Sequence, residues 1–211
     1  MKQETQLKTR RFPQQKRAQK RIDEILLTTA RLLKKVGLDD LTTVMIAQEL
    51  DISVGSVYHY FPNKFSILYA IGEQWLSEMS IVLDTVETWD LEELGVAGFV
   101  ESYCDEMLKT YRQQIAVLPL VQAMFSVPEL RELDERHDEV IITCIMEVCR
   151  KLSPQTSKGE LNRIGRLILE VSHALFVVII EQNKSRGAKT LADLKGILTY
   201  YLQSTIDRQK T

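Results

Sequence analysis

A chain of 211 residues, 45% apolar and 27% charged, is long enough to bury a sizeable core, has the composition of an ordinary soluble globular protein and shows no low-complexity segment. Its net charge of −2 hides an asymmetry, because residues 1–64 carry 12 Lys or Arg against 7 Asp or Glu, while residues 65–211 carry 15 against 22. A basic third on an acidic body is the pattern of a two-part protein that touches a polyanion.

The longest apolar run, ALFVVII at residues 174–180, is far short of the roughly 20 residues a spanning helix needs. The polar, basic start of the chain is not expected to act as a secretory signal. A cytoplasmic protein without a membrane partner is therefore expected. Cys104, Cys144 and Cys149 form no CxxC pair, which suits buried reduced thiols better than a zinc or disulfide framework. Neither a metal nor another cofactor is expected.

In chain order the elements begin with an arm, expected over residues 1–17 and basic in KTRRFPQQKRAQKR (8–21), a stretch without an acid. Lys8, Arg10, Arg11, Lys16 and Arg17 are its candidate phosphate or minor-groove contacts. Ile22, Leu26, Thr29, Leu33 and Val36 recur at three- to four-residue spacing and predict a first helix, stopped by Gly37. Thr42 and Thr43 supply a cap to a short helix, VMIAQEL, with Ile46 and Leu50 on one face. Ser53 then caps another short helix, and Asn63 a fourth that runs to about residue 87. Longer helices are predicted near 91–114, 116–126, 128–152, 158–184 and 190–208. Breaks are expected at Trp89-Asp90, Ser126-Val127-Pro128, SPQTSKG (153–159) and KSRGAK (184–189). No segment alternates as a strand. The chain is expected to be all-α: a three-helix unit over 18–64, then a larger bundle over 65–211.

Two short helices joined by a tight turn make a helix-turn-helix, whose second helix presents its N-terminal residues to the major groove. The stretch ISVGSVYHYFPNK, residues 52–64, fits that role in composition. It contains no carboxylate, which phosphates would repel. Gly55 permits close approach of backbone to DNA, and Ser53, Ser56, Tyr58 and Tyr60 offer hydroxyls. Val57 and Phe61 are spaced to face Ile46 and Leu50 inside.

The stretch TTVMIAQELDISVGSVYHYFPNKFSIL (42–68), with ILLTTARLLKKVGLDDLT before it, resembles the TetR family of transcriptional regulators. It departs from the family pattern at Asp51, where glycine is usual; Asp tolerates the left-handed backbone this corner requires. The resemblance implies that Thr43, Ser53, Ser56, Tyr58 and Lys64 grip phosphates. It places Val44, Val54, Gly55, His59 and Tyr60 toward the bases of a double-stranded DNA operator. It also implies a homodimer, paired through the last two helices, with Phe176, Leu191, Leu194, Leu198 and Tyr201 as candidate interface residues. A small apolar or amphipathic effector is expected among residues 91–180, where Tyr103, Cys104, Gln122, Met124, Phe125, Glu170 and His173 are candidate contacts. Release of DNA by that effector gives a repressor, on resemblance alone.

Two other classes compete for parts of this pattern. Glu170-x-x-His173 and Asp134-x-x-His137 approximate the paired motifs of di-iron carboxylate bundles, but His137 lies in the polar RELDERHDE, which reads as solvated. No Ser-His-Asp order, P-loop or GxGxxG is present, so no enzyme is expected. A helical interaction protein without DNA binding is countered by the 42–68 signature.

Overall fold

The orphan amides at the start of a helix need acceptors, and in this chain short polar side chains supply them at almost every break. In a computed structural model the described residues are 16–86, 88–113, 118–124 and 127–209. Lys8, Arg10, Arg11 and Phe125, and the side chain of Gln122, fall outside the described part. The elements are α1 (Lys16–Asp40), α2 (Thr43–Glu49), α3 (Val54–Tyr60), α4 (Lys64–Val86), α5 (Leu91–Gln113), α6 (Leu118–Met124), a 3-10 turn (Pro128–Leu130), α7 (Arg131–Leu152), α8 (Lys158–Glu181) and α9 (Lys184–Gln209). The described residues contain no strand, and the fold is all-α.

The caps explain the boundaries. Thr42 accepts from the Met45 amide at 3.2 Å, Ser53 from Ser56 at 3.1 Å and Asn63 from Ser66 at 2.9 Å. Asn63 also donates its own amide to Ser66 Oγ at 3.3 Å, so the two residues cap each other. Asp90 accepts from Glu92 and Glu93, both at 3.1 Å, and starts α5.

Three expectations need correction. Lys16 and Arg17 belong to α1 rather than to an arm. The break predicted at 184–189 is confined to Gln182 and Asn183, because Asn183 Oδ1 accepts from the Arg186 amide at 3.0 Å and opens α9 there. Gly187, read as a breaker, is helical, and a Cβ on it would lie 3.1 Å from Ile179 O. It is glycine because α9 starts hard against the end of α8. Gly37 does interrupt α1, at φ 78° and ψ 178°, a conformation open essentially to glycine alone.

The chain divides into two compact units, Met1–Ser77 with Ala116–Glu135, and Glu78–Ile115 with Arg136–Thr211. In the first, α1 packs on α2 and α6, and α2 on α3. Its core includes Ile25, Leu33, Leu41, Ile46, Phe61 and Leu120, all fully buried. In the second, α5, α8 and α9 pack on one another. A Cβ on Gly165 of α8 would lie 3.0 Å from Ile142 Cγ2 and 3.1 Å from Ile142 O, so α7 and α8 approach to backbone contact there.

The stripe along α9 assigned to a dimer interface is core. Leu194, Leu198, Leu202 and Thr205 are buried within the single chain, as is Phe176 of α8, while Leu191 and Tyr201 are half-buried. These side chains are already covered by their own unit. The large apolar side chains that α8 and α9 leave exposed are Val178, Ile197 and Tyr200, the last 78% accessible.

Candidate DNA-binding site

The α2–α3 corner is closed by its backbone. Asp51 stands at φ 51°, with its amide donating to Gln48 O at 3.2 Å, and the Ile52 amide donates to Ala47 O at 3.0 Å. This is the paired-bond C-terminal cap that requires one left-handed residue. Asp51 meets the requirement in place of glycine.

Val57 and Phe61 are fully buried, as are Ile46 and Ala47. That inward face fixes which way α3 turns its other side. Ser53, Gly55, Tyr58 and His59 are exposed, as is Val44 of α2, while Val54, Ser56 and Tyr60 are half-buried. A Cβ on Gly55 would meet only Ser53 Oγ, at 3.7 Å, so the space outside it is open. The exposed hydroxyls are preset. Ser53 Oγ and Ser56 Oγ lie 2.8 Å apart, and the Tyr58 hydroxyl is 3.1 Å from Thr43 Oγ1. Thr43 itself is buried. The His59 and Tyr60 rings meet edge to face, centroids 4.9 Å apart.

Lys64 is placed differently from its neighbours. It is half-buried, and its ammonium donates to Leu38 O at 3.0 Å and Leu41 O at 3.3 Å. Two of its three donors are thereby occupied.

Of the residues expected to line an effector pocket, Tyr103, Cys104 and His173 belong to the second unit and Met124 to the first. Tyr103 and Cys104 are buried. Tyr103 OH lies 3.4 Å from Ser172 Oγ, and Tyr111 OH lies 2.7 Å from His173 Nδ1. Burial pushes both phenols above their ordinary pKa and the Cys104 thiol up to about 12. Burial, with His137 adding to it, lowers His173 to about 4. These groups are neutral at physiological pH. Glu170 does not join them: its side chain is 56% exposed and pairs with Arg166 at 3.4 Å.

His137, read as solvated, is buried, because it shares a face of α7 with the buried Leu133 and Ile141. Its Nδ1 lies 3.3 Å from Asp138 Oδ1, and its ring centroid is 5.9 Å from that of His173. Burial alone would raise Asp138, yet hydrogen bonds from His137 and Arg166 hold it below the usual carboxylate range. Sequence reading missed Tyr111, although it follows Cys104 by seven residues, two helical turns along the same face. A groove of about 820 Å³ in the same unit is lined by Trp89, Asp90, Gly95, Lys151 and Ile206 among others, and by none of the expected pocket residues. No group of three or more potential metal ligands occurs among the described residues, and no described helix is long and apolar enough to cross a membrane.

Residues 25–71 match the sequence profile of bacterial regulatory proteins of the tetR family. Residues 97–202 match that of the tetracyclin repressor-like C-terminal domain. No curated protein is significantly similar in sequence. Among solved structures, a TetR-family transcriptional regulator from Streptomyces coelicolor superposes with a TM-score of 0.54 at 24% identity, over 87% of this chain and 98% of that one. A TetR transcriptional regulator from Legionella pneumophila gives 0.62 at 16%, over 87% and 95%. A TetR-family protein from Syntrophomonas wolfei gives 0.66 at 12%, over 90% and 96%. At these identities the superpositions speak for the fold alone, whereas the two profile matches together span the helix-turn-helix and the bundle: the chain belongs to the TetR family of transcriptional regulators.

Proposed function

We propose that this protein is a homodimeric repressor that binds a two-fold symmetric DNA operator through α2 and α3 and is released by a small effector. The observation that carries the DNA half is the outward side of α3. It is open at Gly55, rimmed by preset hydroxyls and free of carboxylate from Ile52 to Lys64. Ser53, Ser56 and Tyr58 hold phosphates, with Thr43 orienting the Tyr58 hydroxyl. Val44, Val54, Gly55, His59 and Tyr60 face the bases. Few of these are strong hydrogen-bond readers, so methyl contacts and DNA shape carry much of the discrimination.

The effector half rests on the neutral polar groups inside the second unit's apolar core, Tyr103, Tyr111, Ser172 and His173. They suit a neutral amphipathic molecule better than a multiply charged one. An effector that favours a conformation unable to hold the operator weakens DNA binding by the same factor that DNA weakens effector binding, roughly 1–3 kcal/mol of coupling. Dimerisation is assigned to the exposed side chains Val178, Ile197 and Tyr200, in place of the buried stripe.

Gly55→Glu tests the DNA half without disturbing the fold, since a Cβ there meets nothing closer than 3.7 Å. The variant is expected to keep its helical signal and thermal midpoint and to lose binding to mixed-sequence duplex, because a carboxylate is thrust at the phosphates. Undiminished binding would place the DNA surface elsewhere.

A further inference from the structure

We propose that Lys64 is a positioning residue, clamping the α1–α2 link through Leu38 O and Leu41 O and thereby orienting α3, rather than a cation that grips phosphate. This inference rests on the DNA-binding reading of α3 and goes beyond it.

A cation in the first turn of a helix sits at the positive end of the helix dipole, where it is disfavoured unless something compensates. Lys64 is the first residue of α4, whose first turn holds no acid. The compensation comes from across the unit: Leu38 O at 3.0 Å and Leu41 O at 3.3 Å, with the Phe65 ring centroid 5.6 Å away. Carbonyls near the end of α1 are the acceptors a cation best satisfies.

What the clamp holds is the stretch that most needs holding. Gly37, at φ 78° and ψ 178°, breaks α1 immediately upstream, so α1 does not by itself dictate the direction of residues 38–41. Thr42, the next residue, caps α2, and Thr43 meets Tyr58 of α3 at 3.1 Å. A short chain of contacts therefore runs from Lys64 through Leu41, the cap of α2 and Thr43 to the hydroxyl on the recognition helix. Turning the ammonium to a phosphate would strip a donor from both carbonyls and loosen that chain.

The test compares full-length wild type, Lys64→Met, Lys64→Gln and Lys64→Arg in two measurements. The first is hydrogen–deuterium exchange of peptides covering residues 38–46 without DNA. Opening there is expected to rise roughly tenfold or more in Lys64→Met and to return toward wild type in Lys64→Arg, which keeps donors for both carbonyls. The second is a salt titration of binding to mixed-sequence duplex. Affinity is expected to fall several-fold in Lys64→Met while the slope of log affinity against log salt stays at the wild-type value. Lys64→Gln, with an amide donor and no charge, should show the same slope if Lys64→Met folds poorly. A slope smaller by about one unit per subunit in either neutral variant means a lost phosphate contact and overturns the proposal. Unchanged exchange over 38–46 overturns it as well. If wild type fails to bind DNA at all, the reading of α3 falls, while the exchange measurement still decides whether the clamp exists.

Discussion

Asp51 shows how a single residue records a compromise. At φ 51° an L side chain costs of order 1–2 kcal/mol, less for Asp than for most residues. Asp51→Gly is expected to raise the stability of the first unit by at most about 1 kcal/mol, the gain being partly offset by glycine's chain entropy. Removing its negative charge should also strengthen binding to any DNA sequence. Chemical unfolding and a mixed-sequence binding isotherm check the two effects, and a destabilised variant contradicts this account of the corner. This position was legible in the sequence, as were the caps Thr42, Ser53 and Asn63, because their side chains do the work and side chains are what a sequence writes down. The partners of Lys64 were not legible: they are backbone carbonyls 26 and 23 residues away, and carbonyls carry no residue identity. His173 offers a second test at this scale. It faces Tyr111 of α5 and His137 and Asp138 of α7, with Arg166 and Glu170 on its own helix. Its pKa is lowered to about 4 by burial first and by His137 second. A histidine depressed in the folded state stabilises the protein fully above its unfolded value of about 6.5, and that stability is lost as pH falls toward 4. The thermal midpoint should drop across this window, and less steeply in His173→Gln. Equal slopes for both proteins between pH 6.5 and 4.5 would remove His173 from that role.

Among the elements, α9 teaches the most. Periodicity located its apolar stripe correctly, with Leu194, Leu198 and Leu202 on one side. Periodicity does not say what covers a stripe, and the cover is α5 and α8 of the same chain. Leu198→Asp is therefore expected to unfold the second unit, costing several kcal/mol, since it buries an unpaired charge in a packed core. Tyr200→Asp, at a position 78% exposed, should leave the helical signal intact and shift the protein from dimer to monomer. Circular dichroism with sedimentation velocity separates the two outcomes. A folded Leu198→Asp variant or a dimeric Tyr200→Asp variant contradicts the assignment of these faces. The glycines sharpen the same lesson. Nothing in the local pattern around Gly165 marks it, yet backbone of α7 lies 3.1 Å from where its Cβ would be. Gly165→Ala should cost the second unit about 1–3 kcal/mol through overpacking. An unchanged unfolding midpoint would mean that α7 and α8 separate freely.

Across the whole chain, the all-α character could be read from helix periodicity. The grouping of residues 116–135 with the N-terminal unit could not, because the packing of α6 on α1 joins segments that share no local pattern. The burial of His137 escaped for a related reason: its polar stretch of sequence hid the four-residue spacing that puts it on the buried face of Leu133 and Ile141. The role proposed for the molecule depends on two copies of α3 reading DNA together, and selection of binding sites from a random duplex pool by the full-length protein tests this most directly. The account predicts enrichment of one inverted repeat with two equivalent half-sites, in line with the symmetry of a homodimer. A pool that stays random, or one that converges on a solitary half-site without a symmetric partner, would contradict it.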